Sequence, residues 1–329
     1  MSGGSKSIIG ESKGYQHIIL FGLIIAIPGF QSTLFGLIYF FIPLVVLFYL
    51  YKWENGLKYV IGGLILGGIA SAVFNSLGTL LFTITFVPPG YVLAESAFQG
   101  NSPARSGSKA TLTLVGSWII LLAGFTMVTG VNPISDFILS MDLGVEEALR
   151  YYRQSDNVDP ETISLIEQSF YQMKEVFPKV IPAIITGFAL LSIWFTMVAG
   201  NSIIRKFTGY KPWINHRLWE LPGALVWVLI GSTIITLMPF GVIRLIGINV
   251  LIVFSFIYFF QGFSIFVFFM HKWNVPLLLR TFFYGMMLFQ SFGTVLLLVV
   301  GVGDVWFDLR RLHKNVNDKQ SDEDNHSNN

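Results

Sequence analysis

Ile243–Met270 reads IRLIGINVLIVFSFIYFFQGFSIFVFFM, 28 residues with a single charge, Arg244, near the start. As one helix it would be about 42 Å long at 1.5 Å per residue. A bilayer core of roughly 30 Å takes about 20 residues, so the run is long for one crossing and too short for two. It reads either as one tilted helix or as a broken, re-entrant pair turning near Phe260-Gln261-Gly262. The choice decides how often the chain crosses a membrane and on which side it ends.

Similar runs fill the chain. Apolar segments at roughly 16–32, 33–51, 57–75, 77–93, 111–132, 180–204, 221–240, 243–270 and 276–303 predict an all-α fold, a polytopic transmembrane helical bundle of eight or nine membrane segments. Composition agrees: 53% of the 329 residues are hydrophobic and 12% charged, with mean hydropathy +0.65, whereas soluble domains carry about 25% charged residues. The first segment has no small-residue cleavage site and a second apolar run begins at Leu34, so it reads as a membrane helix and not as a cleaved signal peptide. Pro28-Gly29 is expected to end or kink it. No cysteine is present, which excludes disulfides, thiolate metal sites and cysteine nucleophiles.

Loop charges give an orientation. The 205–220 loop carries Arg205, Lys206, Lys211 and Arg217 against Glu220, and the loop after the fourth segment carries Arg105 and Lys109 against Glu95. Both are expected in the cytoplasm, and so, counting back, is the N-terminus. Between them, 131–179 holds nine acids and four bases and should lie outside. Ile134, Phe137, Ile138, Met141, Val145 and Leu149 recur at helical spacing, as do Ile163, Ile166, Phe170, Met173 and Phe177. Asp159 and Pro160 suit the N-cap and first position of the second helix. The segment thus reads as an acidic helical hairpin, packed on the outer ends of the bundle or serving as a lid. The expected divisions are an N-terminal transmembrane region 1–132, the extracytoplasmic hairpin 133–179, a C-terminal transmembrane region 180–311 and a disordered polar tail 312–329.

Parity then conflicts with charge. Nine crossings from an inside N-terminus put the C-terminus outside, yet Arg310, Arg311 and Lys314 follow the last segment directly. The misfit should fall after Leu221, and a broken 243–270 would absorb it.

Ionisable residues at membrane depth are the usual pointers to function, and here they are scarce. Arg244 and Arg280 lie where their stems can snorkel. The five histidines are scattered, without a His-Glu-x-x-His pair, and neither a phosphate-binding loop nor a nucleophile elbow occurs. These observations point away from an enzyme and imply no cofactor. The aromatics of the 205–220 loop suit headgroup anchoring rather than nucleic-acid binding. What remains at depth is neutral: Asn75, Asn201, Asn249, Gln261 and Gln290 are candidates either for interhelical hydrogen bonding or for lining a pocket for a small neutral solute. Gly63 and Gly67 make a small-xxx-small pair, suited to close internal packing or to docking a partner. At the C-terminal end, GVGDVWFDLRR (Gly301–Arg311) places Asp304 and Asp308 four apart and Asp308 three before Arg311. It reads as a helix exit, acids balanced by arginines at the headgroups, or as a docking site through Asp304, Asp308 and Arg310.

Pro182, Asn201, Trp219-Glu220-Leu221-Pro222 with Trp227, Asn249, Gln261-Gly262, and Gly303-Asp304 with Trp306, Asp308 and Arg310 follow an ordered pattern over about 180–311. In that pattern the chain resembles the YybS-like family of bacterial integral membrane proteins. The resemblance implies a bacterial inner-membrane protein with a fold like the S components of energy-coupling-factor transporters. Such subunits bind a small solute and work with a separate energising membrane subunit and ATPase. The other expectation is a non-catalytic scaffold or regulatory protein of the cell envelope.

Overall fold

The computed structural model describes residues 14–30, 33–154, 159–239 and 241–310. Arg311, its pairing with Asp308 and the 312–329 tail lie outside them. The chain divides into two units, Met1–Pro212 and Trp213–Asn329, and helices are the only extended regular elements among the described residues. Among the described residues each of the nine apolar segments contains helix, two of them, 77–93 and 276–303, as a pair of α-helices. Five helices are long and apolar enough to cross a membrane, or six if one bent pair counts as a span, and three apolar helices are shorter.

The N-terminal unit contains α1 (Gly14–Ala26), α2 (Phe41–Lys52), α3 (Gly56–Val73), α4 (Leu77–Ile84), α5 (Val87–Phe98), α6 (Pro103–Thr129), α7 (Pro133–Arg153) and α8 (Pro160–Thr208). α1 stops at Ala26, and Pro28-Gly29 lie in the 3₁₀ turn Ile27–Phe30 that follows. α1 packs on α3 because α3 offers glycines: a methyl on Gly63 would lie 2.6 Å from the Phe21 ring, and one on Gly67 2.6 Å from Ile25. Close approach of this kind multiplies dispersion contacts. The sequence-level option that Gly63 and Gly67 dock a partner is corrected here, since α1 already fills that face. At the start of α1, His17 sits among the rings of Trp53 (4.6 Å), Tyr49 (5.6 Å) and Tyr59 (5.7 Å), and the Tyr49 hydroxyl donates to the His17 carbonyl.

The acidic hairpin is formed by α7 and the first part of α8. Asp159 caps α8 through hydrogen bonds from the Glu161 and Thr162 amides, with Pro160 in the first turn, and Asn132 caps α7. Val145 and Leu149 are buried. Arg153 pairs with Glu167 at 2.6 Å, Lys174 lies 3.4 Å from Asp142, and the Phe137 and Phe177 rings meet. The second hairpin helix does not end at 179. It runs on through Pro178 and Pro182 into the apolar stretch as one helix of 49 residues, about 74 Å long and more than twice a bilayer core.

The C-terminal unit contains the loop from Trp213, then α9 (Leu225–Thr236), α10 (Gly241–Lys272), α11 (Leu277–Phe289) and α12 (Ser291–Phe307). α10 is one unbroken helix of 32 residues, so the broken reading of 243–270 is corrected. Gly262 does not turn the chain there. It lets α12 cross: a methyl on Gly262 would overlap the Leu297 carbonyl, and one on Gly301 would overlap the Tyr258 carbonyl and lie 2.8 Å from the Gly262 nitrogen. Backbone meets backbone at this crossing, so dispersion contacts are close.

The break falls one segment later. α11 and α12 meet at 94° at Gln290, whose backbone is extended (φ −98°, ψ 131°). The turn needs Gly293, because a methyl there would lie 2.7 Å from the Met287 backbone.

Candidate functional site

Of the sequence candidates, Gln261, Asp304 and Arg310 come together. α12 ends at Phe307, and Asp308 takes a left-handed conformation (φ 38°), uncommon for a residue with a side chain. That turn folds Leu309 and Arg310 back. The Leu309 amide donates to Asp304 Oδ1 at 3.0 Å, and Arg310 Nη2 pairs with Asp304 Oδ2 at 2.9 Å. Gln261 Nε2 donates to the same Oδ2 at 3.2 Å. Arg310 Nη1 reaches the carbonyls of Arg217 (2.9 Å) and Trp219 (3.0 Å). The ion pair is dry, with the Arg310 side chain 0% and the Asp304 side chain 8% exposed.

The expected exit, with acids and arginines balanced at the headgroups, is therefore corrected. Arg310 turns inward to hold the 217–219 loop. Asp308 does not share a helical face with Asp304, because it is the residue that ends the helix. Sequence reasoning missed the partners in that loop. His216–Leu218 forms a 3₁₀ turn, the Ser264 hydroxyl donates to the His216 carbonyl, and the Trp219 indole donates to Ile214 O at 2.9 Å. The loop's run of aromatics beside bases was the one available signal.

These contacts fix a relation the hydropathy pattern could not. The loop lies on the C-terminal third of α10 through Ser264, and Arg310 binds the same loop. Groups in hydrogen-bond contact cannot lie on opposite faces of a membrane. The end of α12, the 217–219 loop and the C-terminal third of α10 therefore lie together in this unit. The helix break that the sequence placed near Phe260-Gln261-Gly262 falls instead at Gln290.

The remaining candidates stand apart. Asn249 donates to Leu245 O, one turn back on its own helix, at 3.0 Å. Asn201 is buried on α8 in the other unit. Gln290 is exposed at the break and does not cap α12.

Burial lowers the His216 pKa to about 4, helped by the nearby His271 and by the positive charge of Arg217. Between pH 6.5 and 4 the unfolded chain then binds a proton that the folded chain refuses. Stability from this group is complete above pH 6.5 and declines on acidification by up to about 3 kcal/mol. His216→Gln should flatten the acid limb of a thermal-stability profile, and unchanged curvature would contradict this.

The helices and their inward-turned polar node define a multi-pass helical membrane protein. The chain belongs to the family described as Predicted membrane protein (DUF2232), whose model matches residues 17–305. No curated protein and no solved structure matches it.

Proposed function

We propose that this protein is a non-catalytic membrane subunit that binds a small neutral solute and depends on separate energising partners, in the manner of an S component. The observation that supports this reading best is the helix break at Gln290, inside an otherwise apolar segment. Breaking a helix at membrane depth leaves amide donors and carbonyl acceptors that lipid cannot satisfy, and discontinuous helices accordingly accompany solute sites in transporters. Gln290 supplies an exposed amide at that point, while Gln261 is engaged by Asp304.

The test is native mass spectrometry of the gently extracted protein, paired with copurification. A small molecule retained by the wild type and lost in Gln290→Leu, with unchanged melting temperature, is the result expected, together with an associated ATP-binding subunit. An empty protein that purifies without such a subunit would overturn the reading. A scaffold role is favoured by a different feature: Leu139, Leu143, Tyr151 and Leu165 lie exposed on the acidic hairpin, an apolar display suited to a protein partner. If the protein is empty, tight association of another membrane protein through this hairpin is the outcome to seek.

A further inference from the structure

Arg280, near the start of α11, has partners for its two terminal nitrogens but no counter-charge among the described residues. Nη1 lies 2.8 Å from His271 Nε2, and Nη2 donates to Val275 O at 2.8 Å. His271 Nδ1 lies 2.8 Å from Val267 O, which assigns the imidazole proton to Nδ1 and leaves Nε2 as a neutral acceptor for Arg280. The Arg280 Nε is buried without a hydrogen-bond partner. Among the described residues, no ion pair reaches Arg280 or the neighbouring Lys272, and the carboxylate of Asp304 is engaged by Arg310. A partly buried guanidinium without a counter-charge is costly, so the balancing anion should come from outside the chain.

The surroundings indicate its source. Between the two bases stand Trp273, Leu277 (76% exposed) and Leu278 (80% exposed). Tryptophan suits the headgroup level and leucine the acyl region. A free anion would gain nothing from this apolar rim, whereas a phospholipid would use both parts. The lowered His216 pKa, caused chiefly by burial and in part by the Arg217 charge, agrees with an excess of positive charge at this end of the unit.

We propose that the turn between α10 and α11, residues 271–280, binds the phosphate of an anionic phospholipid through Arg280 and Lys272, with Trp273, Leu277 and Leu278 against its acyl chains. The proposal is independent of the solute reading, which concerns the opposite end of α11.

The test compares melting temperatures of the full chain in neutral detergent on adding phosphatidylglycerol, phosphatidylcholine or inorganic phosphate, with native mass spectrometry counting retained lipid. Phosphatidylglycerol should stabilise and remain bound, while the other two do neither. Arg280→Gln combined with Lys272→Gln should weaken retention roughly thirtyfold, given the usual contribution of one base near an anionic surface. Lys272→Gln alone touches only an exposed side chain, keeps the fold and should lose about fivefold. Lys211→Gln should bind as the wild type does. Equal stabilisation by inorganic phosphate would overturn the lipid assignment, and undiminished retention by Lys272→Gln would overturn the site.

Discussion

Arg310→Met is expected to destabilise the C-terminal unit by about 3–5 kcal/mol, the usual cost of removing one partner from a buried ion pair. Asp304 would keep its charge where its side chain is 8% exposed, with only Gln261 and the Leu309 amide left to solvate it. The Arg217 and Trp219 carbonyls would lose their donor at the same time. In detergent the melting temperature should drop by roughly 10 °C or more. Removing the acid as well, in Asp304→Leu with Arg310→Met, should recover much of the loss, because neither charge is then stranded. Arg310→Lys should fall between, since one ammonium cannot hold a carboxylate and two carbonyls in a guanidinium's fork. A melting temperature for Arg310→Met within 2 °C of the wild type would show that the pair does not hold the loop.

The second large effect is expected at the glycine crossing. Gly262→Ala and Gly301→Ala each place a methyl inside the partner helix's backbone. Backbone cannot rotate away as a side chain can, so each should cost about 3 kcal/mol, the upper end for overpacking. The pair should be less than additive, because the first substitution already separates the helices and makes room for the second. Gly285→Ala is the control: a methyl there meets nothing within 4 Å, and replacing a helical glycine by alanine should stabilise by about 0.5–1 kcal/mol. Equal melting temperatures for Gly262→Ala and Gly285→Ala would contradict the crossing.

Much of the fold was legible because apolar run length is a strong signal, and among the described residues each of the nine runs contains helix. Capping chemistry was legible too: Asp159 and Pro160 begin α8 as their residue types require. The location of the break was not. Gly262 and Gly293 look alike in sequence. One lets a helix pass and the other lets the chain turn, and only the neighbouring backbone distinguishes them. Proline gave no help, since Pro178 and Pro182 lie inside an unbroken helix, while the break at Gln290 has no proline beside it. The candidate site was legible in part. Asp304, Arg310 and Gln261 were singled out as separate residues, but their union depends on Asp308 adopting a positive φ, which nothing in GVGDVWFDLRR announces. Arg310 therefore passed for a headgroup arginine, although it is buried.

From the 94° bend at Gln290, the segment from Leu277 to Phe307 is expected to return to the end from which it starts. The chain contains no cysteine, so single cysteines report sidedness without background. Ile214→Cys, Asn274→Cys and Leu309→Cys, at exposed positions, would be treated with a membrane-impermeant maleimide in intact cells and in inverted vesicles. Leu237→Cys, at the turn between α9 and α10, reports the other side. Positions 214, 274 and 309 should label in the same preparation and 237 in the opposite one. Labelling of 309 together with 237 would mean that the last segment crosses the membrane, and would contradict the account.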